Sequence, residues 1–452
     1  MKKPSAGDPD KEKERKTMNL IYGVKDKPKF SQIIVFAFQQ LLAIMAATIA
    51  VPSIIGNGMS QTAALFGAGI GTLVYLLFTR FKSPVFLGSS FAFIGSMFTA
   101  FGGAASMQLG YLGLIIGAAF AGLVYVIIAI VVKCVGVNWI NKLMPAVVIG
   151  PTVAIIGLSL AGNAVGDLGT APAGGSTYVA LICGLVTLGV TMVCSVYGKK
   201  MVKMIPFILG ILAGYAVAAI FTVIGKATDN ANLLVINFEL FKQINWVPDF
   251  TFLTAFKGFG ELTGTYVATI AAAYVPVAFV VFAEHIADHK NLSSIIGTDL
   301  LEEPGLHNTL LGDGIGSFAG ALFGGCPNTT YGESVGCVAI SGNASVVTIL
   351  ATAIMAIVIS FVGPFATFLA TIPHCVMGGV CIALYGFIAV SGLKMIQTVD
   401  LNDNRNLFVV SVILIAGIGG LSVSFGSVTI TEVACALILG VLTNVMLSGK
   451  KN

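Results

Sequence analysis

The chain has 452 residues, of which 56% are hydrophobic and only 10% charged, and its formal net charge is +4. Soluble domains carry roughly 25% charged residues, so too few polar groups exist here to cover a water-facing surface. A soluble globular protein is excluded, and the small basic excess points to orientation in a membrane, not to a nucleic-acid partner.

The first thirty residues, MKKPSAGDPDKEKERKTMNLIYGVKDKPKF, contain no apolar core. They are expected to be a charged cytoplasmic arm, not a secretory signal. Beyond them, apolar stretches of roughly 20 residues, each able to cross a ~30 Å hydrocarbon layer, recur along the chain. The pattern predicts about fourteen spans. Their centres lie near Ala43, Gly71, Phe93, Ala121, Ala154, Leu188 and Ala213, then near Val277, Ile315, Cys337, Ala353, Cys381, Leu414 and Leu439. The longest connection, about 226–261, falls at the midpoint. Eight cysteines are scattered without a CxxC pair, so no disulfide framework, metal site or cofactor motif is indicated.

Loop charge sets the orientation. Lys and Arg collect in 79–82, 133–142, 197–203, around Lys290, in 394–405 and at the C-terminal KKN, whereas 56–61, 102–110 and 162–175 have none. Basic loops stay cytoplasmic, which predicts an even span count with both termini inside.

An internal repeat is legible. MPAVVIGPTVAIIG begins at Met144 and IPHCVMGGVCIALYG at Ile372, and in each a proline (Pro145, Pro373) precedes a glycine (Gly150, Gly378) by the same interval. The two lie half a chain apart. Seven spans per half is an odd number, so the halves have opposite orientation, the inverted repeat of secondary transporters. The expected fold is therefore an all-α polytopic membrane protein of two inverted seven-span repeats.

Such transporters bind substrate where spans are interrupted. The candidates are third in each half: SPVFLGSSFAFIGS (83–96) and GGCPNTTYGESVGCVAISG (324–342). Pro327, Asn328, two threonines and Gly332 favour extended or turn backbone. Each segment is expected to hold a short β strand, paired with the other at the centre. Glu333 then sits where extended chain gives way to a helix starting near Val335.

The stretch VPVAFVVFAEHIADHK (275–290) brings four titratable groups to the end of an apolar helix. A carboxylate at membrane depth costs about 2.5–3.5 kcal/mol even on lenient scales, which marks Glu284 and Glu333 as functional. Asp288 lies one turn beyond Glu284 on the same face, and one of that pair is expected to hold a proton. His285 points about 100° away and reads equally as a packed histidine or a proton carrier. His289, followed by Lys290 and Asn291, is expected at the cytoplasmic surface.

At these residues the chain resembles the nucleobase–ascorbate transporter family, in its uracil permease branch. The matching stretches are FLGSSFAFI (86–94), AEHIADH (283–289), DLLEEPGLHNTLLGDG (299–314), PNTTYGESVG (327–336) and IPHCVMGGV (372–380). The resemblance implies short antiparallel strands in spans 3 and 10, beside the substrate, and a core and a gate domain, often in a dimer. It divides the chain into the arm 1–30, core 31–135, gate 136–228, linker 229–262, core 263–363 and gate 364–449. It makes Glu284 and Glu333 the nucleobase-binding glutamates, Phe91 and Tyr331 the aromatic residues beside the ring, and Gly332 a backbone donor. Ser90, Ser334, Gln40 and His285 are expected in support.

Four positions depart from the family pattern: Ser334 stands for Asn, Ser341 for Thr, Gln40, in Gln39–Gln40, for the His of Gln-His, and Asp288 for the histidine found in some uracil carriers.

The chemistry agrees with this reading. A protonated carboxyl offers one donor and one acceptor, whereas an ionised one only accepts. Only the former matches an alternating N–H/C=O ring edge, so Glu284 is expected to bind uracil with a proton. The expected function is uracil:proton symport into the cell across the cytoplasmic membrane, with Glu284 and Asp288 in proton coupling. The alternatives are a purine (xanthine or urate) symporter of the same family and a passive nucleobase channel. An intramembrane enzyme lacks a nucleophile–base or metal constellation, and an anion carrier would be repelled by two acidic residues.

Overall fold

A computed structural model describes residues 20–448, apart from 137–138, 140–143, 173, 200, 243 and 426–427. Most of the expected N-terminal arm, part of the 133–142 loop and the C-terminal KKN lie outside the described residues. Within them, all fourteen expected span centres fall inside helices. Eight helices are long and apolar enough to cross a membrane, or nine if the bent pair Val346–Ser360 and Gly363–Ala370 is one span. Phe91–Gly102, Asn404–Ile418 and Glu432–Ser448 are shorter apolar helices.

The first half comprises α1 (Phe30–Ile55), α2 (Gln61–Phe78), strand β1 (Leu87–Ser89), α3 (Ile94–Gly102), α4 (Met107–Val135), α5 (Ala146–Ser159), α6 (Ala161–Leu168), α7 (Thr177–Tyr197) and α8 (Pro206–Ala227). Short helical turns carry the chain across the midpoint. The second half comprises α9 (Gly264–Ile296), α10 (Leu306–Gly324), β2 (Asn328–Thr330), α11 (Gly332–Ser341), α12 (Val346–Ser360), α13 (Gly363–Ala370), α14 (His374–Ile396), α15 (Asn404–Ile418), β3 (Val423–Phe425), β4 (Val428–Ile430) and α16 (Glu432–Ser448).

The repeat has a structural counterpart. Pro145 is the N-cap of α5 and Pro373 that of α14, a boundary position that proline tolerates because it has no N–H to donate. α5 packs on α14, as α2 packs on α10. Both crossings are close because small residues face each other. A Cβ on Gly71 would lie 2.7 Å from the Gly316 carbonyl oxygen, and one on Gly150 would lie 3.1 Å from that of Gly392.

α10 also contacts α4, α9 contacts α4, and α12 contacts α1 and α2. Around the other crossing, α14 contacts α6 and α7, α7 contacts α8, and α15 contacts α16 and α5.

At the centre, β1 and β2 pair antiparallel, Leu87 with Thr330, Gly88 with Thr329 and Ser89 with Asn328. Interrupting two spans frees backbone groups that must be satisfied internally, and the strand pair does so for both at once. A second hairpin, β3–β4, precedes α16. The sequence reading placed β segments only in spans 3 and 10. Val423, Val428 and Ile430 favour strand on β-branching but are inseparable from an apolar helix by pattern alone.

A candidate substrate site at the crossed half-helices

The strand pair is anchored on α2. The Leu87 N–H donates to Thr72 Oγ1 (2.9 Å), and Asn328 Nδ2 donates to the Gly67 carbonyl oxygen (3.1 Å). Beyond each strand the chain turns back into helix. A short 3₁₀ turn, Phe91–Phe93, leads into α3, and Tyr331 caps α11. The first N–H groups of α11 have no partner within the helix, and Gly332 and Glu333 occupy that first turn. A carboxylate is favoured there by the helix dipole. The helix begins three residues earlier than expected at Val335, because Gly332 and Glu333 already take helical geometry.

α9 passes alongside and supplies Glu284 and Asp288, both half-buried. Thr330 Oγ1 donates to Asp288 Oδ2 at 3.0 Å. A Cβ placed on Gly332 would lie 3.7 Å from Asp288 Oδ1. Glu284, Asp288 and Glu333 are close enough for their charges to interact. The three acidic residues chosen from sequence therefore converge where β2 meets α11.

The aromatic residues divide. Phe91 is buried, and its ring stands edge-on to Tyr385 of α14, with centroids 5.7 Å apart. Tyr331 lies under β1, where its hydroxyl donates to the Ser89 carbonyl oxygen (2.8 Å) and its ring fills the space above Gly88.

Among the supporting residues, Gln40 and Ser334 are joined directly. Ser334 Oγ accepts from Gln40 Nε2 (2.5 Å) and from the Phe86 N–H (3.1 Å). Serine at this position thus still ties α1, α11 and the entry to β1 together. The Ser90 N–H donates to the Pro327 carbonyl oxygen (2.9 Å), while its buried hydroxyl has no partner among the described residues.

Two histidines need comment. His285 is fully buried and lies 2.7 Å from Asp313 of α10. His289, expected at the cytoplasmic surface, is instead fully buried, with Nε2 2.7 Å from the Tyr75 hydroxyl. α9 continues to Ile296, so Lys290 does not mark the end of the helix, and the face bearing His289 stays against α2. Asp313 was missed by sequence reasoning. Its signal was present, since it is a lone carboxylate in an apolar helix, the criterion that selected Glu284. Tyr385 and Thr330 carried no such signal.

A cavity of about 420 Å³ lies elsewhere, at the α1–α2 turn. Ser60, Gln61, Asp249 and His374 are among its lining residues. No metal-binding cluster of His, Cys, Asp or Glu exists among the described residues.

A strand pair between two broken helices, inside a bundle with too few charges for water, defines a multi-pass membrane permease. The fold matches the transmembrane domain of a cyanobacterial bicarbonate transporter, BicA (TM-score 0.65, 18% identity, 94% of this chain and 99% of that one). It also matches the murine Slc26a9 anion transporter in the inward-facing state (TM-score 0.62, 13% identity, 94% and 69%). The mostly helical, polytopic fold class read from sequence stands, with eight or nine helices of membrane-crossing length among the described residues.

Sequence relatives narrow the assignment. The chain is 39% identical to a uracil permease of Bacillus caldolyticus over 95% of both chains. It is 37% identical to one of Bacillus subtilis over 97% of both. A third, from Escherichia coli, is 36% identical over 93% of this chain and 92% of that one. A permease family model matches residues 31–425, and the chain belongs to that family, the nucleobase–ascorbate transporters.

Proposed function

We propose that this protein imports uracil across the cell membrane by proton symport. Glu284, Asp288 and Glu333 converging at the β2–α11 junction is the observation that carries this reading. Uracil is neutral and presents N–H donors beside C=O acceptors, and a protonated Glu284 pairs with both. Glu333 accepts from a second ring N–H, and the Gly332 N–H donates to a ring carbonyl. Phe91 packs against the ring in an offset or edge-on arrangement, and Tyr331 supports the site from beneath β1. Proton and base then enter together, because the ionised carboxylate lacks the donor.

In this reading 31–135 and 263–363 form the core, 136–228 and 364–449 the gate, and 229–262 the linker. The helix contacts described above support that grouping, and the Phe91–Tyr385 pair spans the boundary. Movement of one unit against the other opens the site alternately to either side. The basic loops support cytoplasmic termini, and the dimeric assembly implied by the family belongs to the same proposal.

Uptake by a Glu284→Gln variant in proteoliposomes tests the mechanism. Uptake that an imposed pH gradient no longer drives is expected, and uptake that still follows the gradient excludes Glu284 as the coupling group. Competition among uracil, xanthine and ascorbate for purified protein tests the substrate, with uracil expected to compete best.

A further inference from the structure

One acidic residue near the site has no role in that mechanism. Asp313 and His285 are fully buried, with Asp313 Oδ2 2.7 Å from His285 Nδ1. His285 Nε2 lies 3.0 Å from Thr309 Oγ1, whose single hydroxyl hydrogen also faces the Leu306 carbonyl oxygen at 3.0 Å. Asp313 Oδ1 has no hydrogen-bond partner among the described residues.

Hydrogen counting narrows the protonation state. When Thr309 donates to Leu306, His285 Nε2 must carry a hydrogen to keep its own contact, and the Nδ1–Oδ2 contact needs another. An ionised Asp313 would leave a buried charge with one bare oxygen, either alone beside a neutral imidazole or beside an imidazolium that buries a second charge. A protonated Asp313 donates from Oδ2 to Nδ1 and leaves Nε2–H for Thr309. Only a neutral carbonyl oxygen then stays unpaired, a smaller penalty. The titratable groups facing the pair are Glu284, Asp288 and His289 on α9, Tyr125 on α4 and Tyr75 on α2. None is a fixed cation that would hold Asp313 ionised.

The proton also lacks a hydrogen-bonded exit through His289. That residue's Nδ1 is engaged by the His285 carbonyl oxygen (2.8 Å) and its Nε2 by Tyr75, which leads on to Ser83 (2.7 Å). The two imidazoles are stacked with centroids 4.0 Å apart, so no N–H joins them.

We propose that Asp313 and His285 form a neutral pair that keeps one proton throughout transport and acts as a positioning pair for Glu284. His285 directly follows Glu284, so fixing its ring on α10 fixes the rotation of α9 that presents the carboxyl to substrate. The positioning role rests on the uracil reading, whereas the protonation state does not.

Infrared spectroscopy of the purified full-length protein, from about pH 5 to about pH 9, reads that state. The expected result is a protonated-carboxyl band, absent from Asp313→Asn, that persists at every pH and on addition of uracil. Loss of the band with rising pH or with uracil overturns the proposal. Nitrogen NMR of labelled histidine gives a second readout that needs no Asp313 variant, with His285 Nδ1 expected as a bare acceptor throughout. A hydrogen resident on Nδ1 overturns the proposal. For positioning, Asp313→Asn is expected to leave the pH midpoint of uracil binding unmoved, while Asp313→Leu weakens binding about tenfold. A shifted midpoint in Asp313→Asn, or full affinity in Asp313→Leu, refutes the positioning role. Failure of the wild type to bind uracil would sink the functional reading and leave the spectroscopic result standing.

Discussion

Thr330 donates a 3.0 Å hydrogen bond to Asp288, joining the last residue of β2 to the helix that carries Glu284. The bond is charge-assisted when Asp288 is ionised, so it fixes the distance between the two halves of the site. Thr330→Val keeps the side-chain shape and removes the donor. It is expected to weaken uracil binding roughly tenfold, the worth of a hydrogen bond to a charged group. Isothermal titration of purified variant against wild type measures this.

Gly88 is the point where β1 passes over the Tyr331 ring, and a Cβ there would overlap that ring. Gly88→Ala is expected to displace Tyr331, break its bond to the Ser89 carbonyl oxygen and cost about 1–3 kcal/mol of stability. Gly95→Ala, seven residues on, meets nothing within 4 Å and is expected to retain uptake. Equal effects of the two in a thermal-shift and uptake assay would show that the strand contact is unimportant.

Ser334 accepts from both Gln40 and the Phe86 N–H. Ser334→Ala leaves a buried backbone donor unpaired, at about 1–3 kcal/mol. The melting temperature is expected to fall, and Ser334→Asn, the family's usual residue, is expected to restore it.

Outside the spans, Lys82 pairs with Glu303 at 2.8 Å. The Lys82 ammonium holds the Glu303 carboxyl below its ordinary range. A carboxyl depressed in the folded state stabilises above its unfolded pKa of about 4.3, and the contribution is lost as pH falls through the lowered folded value. The pair is exposed and screened, so its effect is small. Glu303→Gln is expected to lower the melting temperature slightly at neutral pH, with the difference shrinking as pH falls through the lowered folded pKa.

Much of this architecture was legible because the signals are local. Span length follows from hydrocarbon thickness and helix rise, the repeat from two Pro-to-Gly intervals, and the strands from Pro327, Asn328 and two threonines in the middle of an apolar region. Glu284 and Glu333 stood out because charge at membrane depth is costly wherever it occurs. Asp313 met the same criterion and could have been found by applying it to every span.

Tertiary packing decided the rest. Helical periodicity states which residues share a face, not which neighbour that face will meet. His289 is buried because α9 runs past Lys290 and its imidazole reaches Tyr75 of α2, and Phe91 meets Tyr385 because α14 crosses from the other half of the fold. The pairing of His285 with Asp313 depends on the rotation of two helices about their own axes. That rotation is set by the summed packing of all their neighbours, which no stretch of sequence contains.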